Sequence, residues 1–558
     1  MKLLIIGGVA GGATAAARAR RISESAEITI IERGPHVSYA NCGLPYFISR
    51  DITKRSKLLL QSPEGFDSRY GVKVLVNTEA LEIDRARKRI RVKGPDGESW
   101  LAYDSLILAQ GGMPAVPPVP GIDSPHVFRI WTVPDMDRIV TFIDEKAPAT
   151  AVIAGGGFIG MEMAEAFVQR GISTTIVELM PHVMSVMDPE FGTMIERRLT
   201  AHGVTVRTGV GIAGIDAGRS SVTLSDGSTV PGALVLVAAG VRAELTLARS
   251  AGLALGAAGG LTVDEHLRTS DPSIWAAGDM NEVLHKVSGR TVRVPMAGPA
   301  NRQGRIAASN ALGMSMKYSG ALGTSVVKIF DSAAASTGLS ETAARAAGFD
   351  TASVVVAKDH HASYYPGGKE LVLKIVYDRT SGRLLGGQCF GEEGVEKRID
   401  ALAAALHGKM TLDDLAGIDF AYSPPFSSAN DPLNIAAFAG LNDISGYAPL
   451  VGAEQARTLL TESPAAGAPS SRPLLLDVRN LNEYETSHVR GALHIPVDEL
   501  RFRLDEVPRG VSILVHCRSG FRSHLALRVL RENGWKDVRN ITGGFVAMTA
   551  VGGFEIEE

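Results

Sequence analysis

Three cysteines serve 558 residues, at positions 42, 389 and 517, and two of them stand in segments suited to sulfur chemistry. In "HVSYANCGLPYF", His36 to Phe47, Cys42 has no second cysteine nearby to form a redox pair. A lone thiol attacks a disulfide or persulfide sulfur only as its thiolate, so its reactivity depends on surroundings that favour the anion. In "VSILVHCRSGFRSHLALRVL" an apolar strand runs into Cys517, and a short loop ends at Arg522 where a helix begins. A cysteine at the bottom of such a turn meets converging backbone N–H groups, a nest for a thiolate or a terminal persulfide sulfur. Cysteines this scattered make no disulfide framework, and a reducing cytoplasm is the expected compartment.

The elements around these thiols are built to hold dinucleotides. "KLLIIGGVAGGATAAARARR" reads as a strand, a glycine turn with Gly7, Gly8, Gly11 and Gly12, and an alanine-rich helix. The next strand ends at Glu32, 20 residues after Gly12, where a carboxylate would accept hydrogen bonds from a ribose. A second copy, "ATAVIAGGGFIGMEMAEAFVQRG", carries Gly155, Gly157 and Gly160 in full G-x-G-x-x-G register. Glu178 follows 18 residues beyond Gly160. A carboxylate there favours a free ribose 2′-hydroxyl and repels a 2′-phosphate, and no arginine follows closely, so NADH is expected over NADPH.

A chain of this length needs three to four domains. The net charge of −3 argues against a nucleic-acid binder. No apolar run reaches the roughly 20 residues of a membrane helix, and "MKLLIIGG" reads as a first strand rather than a signal peptide. No metal is expected. "TESPAAGAPSSRP", Thr461 to Pro473, reads as a hinge or loop.

The motif order resembles the pyridine nucleotide–disulfide oxidoreductases over residues 1 to about 445. "SDPSIWAAGDMNEV" is similar to that family's flavin-contacting turn, which implies that Asp279 bonds the ribityl chain of FAD. Carried over, Gly7, Gly8, Gly12, Glu32 and Asp279 would hold FAD, and Gly155, Gly157, Gly160 and Glu178 would hold the nicotinamide cofactor. Glu162 matches a position near the nicotinamide ring, with a plain helix-surface carboxylate as the alternative. Two-cysteine members carry C-x-x-x-x-C, which "CGLPYF" lacks. Single-thiol oxidases and peroxidases resemble one another in a histidine in the first glycine turn, absent from Gly8-Val9-Ala10-Gly11. The stretch with Ser38, Tyr39, Asn41 and Cys42 through Tyr46 instead resembles the coenzyme A disulfide and persulfide reductases.

That resemblance implies a substrate that brings its own second sulfur, with Ser38 and Asn41 at its site. Arg18 and Arg21, three apart on one helix face, are candidate ligands for coenzyme A phosphates, a solvated face being the alternative. Where relatives tend to carry a lysine in the "FDSRYGV" segment, Asp67 stands, one phosphate ligand fewer. The segment from about 321 resembles the family's dimerisation domain and implies a homodimer. In it, Tyr364 (or its neighbour Tyr365) and Tyr422 match tyrosines that reach the partner's active-site sulfur and assist its departure as acids. From about 450 to 558, Asp477-Val478-Arg479, Glu483, His488, the Cys517–Arg522 loop and "NITGGF" resemble a rhodanese domain with the short loop of sulfur transferases. Arg518 and Arg522 would add positive charge for the sulfur donor.

The expected architecture is α/β. Residues 1–112 and 245–320 form an FAD-binding Rossmann-like domain and 113–244 an NADH-binding one. An α+β dimerisation domain covers 321–445, a linker 446–465, and an α/β rhodanese domain 466–558. The implied activity is NADH-dependent reduction of coenzyme A persulfide, polysulfide or coenzyme A disulfide at Cys42, with sulfane sulfur carried on Cys517. A peroxidase or oxidase cycling Cys42 through sulfenic acid, and a non-catalytic flavin redox sensor, are the alternatives.

Overall fold

The computed structural model describes residues 1–461 and 472–558, and the chain separates into two compact units. The first comprises Met1–Pro181 and Thr200–Gly323. Its two main sheets are wholly parallel, which fits their continuous apolar strands. In one, the strand order is Ile274–Ala276, Ser105–Leu108, Lys2–Ile6, Glu27–Ile31 and Lys73–Leu75. In the other it is Thr205–Arg207, Ser173–Val177, Thr150–Ala154, Leu234–Val237 and Val127–Phe128. In each, the strand before the glycine turn is central, so the turn and its helix open at the carboxyl ends of the strands, where ligands bind in such sheets. The helix Ala10–Ile22 packs on Ala297–Ala311. Their alanines allow the close approach, and a side chain on Gly304 would collide with the Gly11 carbonyl.

The second unit comprises His182–Leu199 and Thr324–Glu558. An antiparallel sheet runs in the order Ser325–Ile329, Ser332–Gly338, Leu384–Gly391, Glu370–Asp378 and Thr351–Asp359. A parallel sheet follows, ordered Leu450–Val451, Val538–Ile541, Ile513–His516, Leu474–Asp477 and Leu493–His494. The stretch expected as a linker is therefore structured over its described part. Leu450–Val451 pairs with Val538–Ile541 as an edge strand, and Ala453–Thr461 is a helix. The strand is only two residues long, too short to show in a sequence pattern. The Pro/Ala/Ser-rich residues 462–471 lie outside the described residues.

His182–Leu199 belongs to the second unit although it falls within the stretch expected to bind NADH. A buried charge cluster explains this. Lys374 Nζ lies 2.6 Å from Glu190, 2.8 Å from Glu341 and 3.0 Å from Asp188. Asp188 also accepts the Glu341 and Thr342 N–H groups at the start of the helix Glu341–Ala347. Burial works against each charge, yet Lys374 and these N–H groups hold Asp188 down to about 2. Lys374 in turn stays above the ordinary lysine range.

Lys374→Met should strip three buried carboxylates of the lysine they share, leaving Arg345 as a cation beside Glu341 alone. The expected loss is about 3–5 kcal/mol, read as an earlier urea midpoint of the second unit. A midpoint that does not move would mean that water reaches the cluster. Because the Asp188 value is depressed, its contribution is complete above about pH 4 and is lost as pH falls towards about 2.

Candidate active sites

The glycine turns of the first unit are cradles by steric necessity. Gly7 sits at φ +96°, and a Cβ there would lie 2.3 Å from the Ala109 carbonyl oxygen; one on Gly12 would lie 1.8 Å from that of Gly7. Gly155 and Gly160 repeat both clashes, at 2.3 and 2.1 Å, while Gly157 faces open space. Glu32 accepts the Gly8 N–H at 2.8 Å and the Gly34 N–H at 2.7 Å. Glu178 does the same for Gly156 and Met180, at 2.6 and 2.7 Å. Each carboxylate thus ties the end of its strand to the preceding turn. A cavity of about 190 Å³ opens beside Gly7 and Glu32, and the buried Gln110 Oε1 on its wall has no hydrogen-bond partner. Asp279, on the turn after Ile274–Ala276, is pushed up to about 6 by burial, with Arg293 opposing. A carboxyl held dry at the end of a strand suits ribityl hydroxyls. These features fit FAD at the first turn and NADH at the second.

Cys42 lies in the single turn Asn41–Gly43, which runs into the five-residue helix Leu44–Ile48. The Ser38 N–H donates to the Gly8 carbonyl at 2.8 Å, and Ser38, itself at φ +47°, accepts the Leu60 N–H at 2.9 Å. The thiol loop is thereby fastened to the first glycine turn. Asn41 Oδ1 accepts the Cys42 N–H at 3.1 Å and lies 3.7 Å from the thiol. The thiol itself is exposed. Desolvation first, then the Glu162 and Asp279 carboxylates, push it up. Glu162 is not a plain surface residue. It accepts the Tyr46 hydroxyl at 3.3 Å, and burial, with Glu165 adding, raises it to about 7.

Arg18 and Arg21 are joined by a residue that spacing alone did not reveal. Arg305, on Ala297–Ala311, faces them closely enough that burial, Arg305 and Arg21 lower Arg18. Arg18 is oriented by Ser309 Oγ at 3.0 Å. Arg20 is spent on structure, donating to the Tyr70, Gly71, Ser23 and Glu24 carbonyls.

In the second unit the Tyr364 and Tyr422 hydroxyls lie 2.9 Å apart, both side chains exposed. The Tyr365 ring instead meets His361 edge-on at 5.5 Å. Cys389 is fully buried in a strand and pushed up to about 12, an inert thiol.

Cys517 is buried at the end of Ile513–His516. Its Sγ accepts the Gly520 N–H at 3.1 Å and lies 3.4 Å from Ser523 Oγ. "NITGGF" closes the loop from behind: the Phe545 N–H donates to the Cys517 carbonyl at 2.8 Å, and a Cβ on Gly544 would lie 2.3 Å from that oxygen. Arg479 forks onto Asp477 beneath the loop, its guanidinium over the Phe545 ring. Burial lowers His516 to about 4, so it is neutral near pH 7. The two loop arginines are both paired. Arg522 forks onto Glu483 at 2.5 and 2.7 Å while also engaging the Cys517 sulfur. Arg518 pairs with Glu370 of the antiparallel sheet, so it braces the loop.

Comparison with known proteins agrees with this geometry. Residues 1–304 match the pyridine nucleotide-disulphide oxidoreductases, 324–432 the dimerisation domain of that family, and 458–550 the rhodanese-like domain. The chain is 37% identical to an NAD(P)H sulfur oxidoreductase (CoA-dependent) of Pyrococcus abyssi, over 78% of this chain and 97% of that one. It is 30% identical to a coenzyme A disulfide reductase of Staphylococcus haemolyticus, over 78% and 98%. Among solved structures it is similar to reduced Bacillus anthracis CoADR-RHD, with 39% identity, a TM-score of 0.94, and coverage of 99% and 98%. A NAD-dependent persulfide reductase from A. fulgidus gives 34%, 0.91, and 98% and 99%. Two dinucleotide cradles, a lone thiol beside the first and a sulfur-holding loop after residue 457 are the features of one lineage: the chain belongs to the pyridine nucleotide-disulphide oxidoreductases and carries a rhodanese-like domain.

Proposed function

We propose that this oxidoreductase spends NADH on the sulfur–sulfur bond of a small substrate, a coenzyme A persulfide, a polysulfide or coenzyme A disulfide. The observation that carries this reading is that Cys42 is the one cysteine of its unit. Cys42 is exposed without a cysteine partner, while Cys517 is held in a distinct, donor-lined loop. The second sulfur at Cys42 therefore comes with the substrate. The names of the relatives from Pyrococcus abyssi, Staphylococcus haemolyticus and A. fulgidus support this substrate class.

Gly7, Gly8, Gly12, Glu32 and Asp279 would hold FAD, which when bound would pass an electron pair from NADH to the mixed disulfide on Cys42. Gly155, Gly157, Gly160 and Glu178 would hold NADH; the stretch "ELMPHVMSVMD" from Glu178 offers no lysine or arginine for a 2′-phosphate. The Cys42 thiolate attacks the nearer sulfur of a disulfide, forming a mixed disulfide as the bond to the departing sulfur breaks. Tyr422 and Tyr364, exposed and hydrogen-bonded to each other, are the acids that protonate that departing thiolate from a partner subunit in a homodimer. Ser38 and Asn41 shape the thiol loop. Arg18, Arg21 and Arg305 take the phosphates of coenzyme A. Cys517 carries sulfane sulfur, and Arg522, locked by Glu483, keeps positive charge beside it. Carrying both sites on one chain raises their effective concentration for each other. No helix among the described residues is long and apolar enough to cross a membrane, and we assign the enzyme to the cytoplasm, whose reducing environment suits free thiols.

Cys42→Ser should abolish NADH oxidation with coenzyme A disulfide and polysulfide, and Cys517→Ser should spare it while abolishing sulfur transfer from thiosulfate. Turnover with hydrogen peroxide and none with persulfide would establish the sulfenic acid reading instead, and turnover with neither would indicate a sensor. Glu162 bears on the pH profile. Its raised value leaves it neutral below about pH 7 and charged above, so it opposes the Cys42 thiolate most at high pH. Glu162→Gln should therefore move the pH midpoint of Cys42 alkylation down by about one unit, measured on holoenzyme with Cys517→Ser. Replacing Arg18 and Arg305 together by alanine should raise KM for coenzyme A disulfide about tenfold or more and leave KM for polysulfide alone. An equal rise for both substrates would remove the phosphate role.

A further inference from the structure

Ser523 is buried in the first turn of the helix Phe521–Glu532, with its hydroxyl shared between two acceptors. Oγ lies 3.4 Å from Cys517 Sγ and 3.0 Å from the Gly520 carbonyl oxygen. That carbonyl also receives the Asn540 amide at 3.0 Å. The hydroxyl can therefore turn towards sulfur without leaving a buried carbonyl unpaired, which would otherwise be costly. We infer that Ser523 is a catalytic residue of sulfur transfer, its hydroxyl favouring the sulfur-free state of Cys517 over the sulfur-loaded one. The inference rests on the reading of Cys517 as the sulfur carrier.

The two states differ in where the charge lies. Without bound sulfur it resides on Sγ, within reach of the Gly520 N–H and the Ser523 O–H. With sulfur bound it moves one atom outward, and Sγ becomes a poor acceptor; the Ser523 proton then returns to the Gly520 carbonyl. During discharge an acceptor nucleophile bonds to the outer sulfur, and the Sγ–S bond breaks with its electron pair going to Sγ. No net oxidation occurs, and a thiol acceptor releases its proton to solvent. Charge thus appears at the atom that Ser523 addresses, and a donor aimed at developing charge accelerates the step. Arg522 also engages the sulfur but shares its charge with Glu483, and His516 is neutral near pH 7, so the hydroxyl adds a donor that neither supplies.

The test uses the full-length holoenzyme, thiosulfate as sulfur donor and cyanide as acceptor. Ser523→Ala should slow single-turnover discharge to cyanide about tenfold, leave loading at alkaline pH unchanged, and raise the pH midpoint of Cys517 alkylation, read peptide by peptide. Ser523→Thr should restore most of the discharge rate and of the midpoint. Equal slowing of loading and discharge with an unmoved midpoint, or a parental discharge rate in Ser523→Ala, would overturn the inference. Cys517→Ser separates the two levels. If that variant still transfers sulfur, the carrier reading itself fails; if it is inactive while Ser523→Ala behaves like the parent, only the role of Ser523 fails.

Discussion

A parallel strand that ends in a tight turn and enters a helix leaves several backbone N–H groups pointing at one spot, with the positive end of the helix behind them. This chain builds that arrangement three times, after Lys2–Ile6, Thr150–Ala154 and Ile513–His516. Twice the turn is closed by glycines whose missing side chains let backbone cross backbone, and the occupant is a dinucleotide. The third time a cysteine stands at the turn and the occupant is its own sulfur. Everything else in the sites serves these three foci: Glu32 and Glu178 brace the first two from the neighbouring strand, and Gly544 and Phe545 brace the third from behind.

The two reactive sulfurs live in opposite fields. Cys517 is surrounded by donors, an amide, a hydroxyl and a guanidinium, whereas Cys42 looks towards the carboxyls of Glu162 and Asp279. The polypeptide by itself thus gathers donors around one sulfur and resists an anion at the other.

How much of this could be read from the chain depended on the range of the cause. Glycine register, the acidic strand ends, the unpaired Cys42 and the Cys517–Arg522 loop are local constraints, and they stand in the sequence in full. Arg305 opposite Arg18, Tyr46 against Glu162, and the Lys374 cluster that draws His182–Leu199 into the second unit join residues far apart, with no periodicity to announce them. The Tyr364–Tyr365 pair is symmetrical in sequence and is distinguished by the Tyr422 hydroxyl at Tyr364 and the ring of His361 at Tyr365. Arg518 reads as a substrate ligand until Glu370, 148 residues earlier, appears beside it.

Thr351–Asp359 ends its sheet with an unpaired edge, and the Val355 N–H and carbonyl both meet Thr542 Oγ1, at 2.7 and 3.3 Å. The strand is rich in valine, and an open edge of that kind invites pairing with another chain. The rhodanese-like domain therefore does more than handle sulfur: it acts as a guard on a sticky border. Its loss would be felt as aggregation as well as missing chemistry.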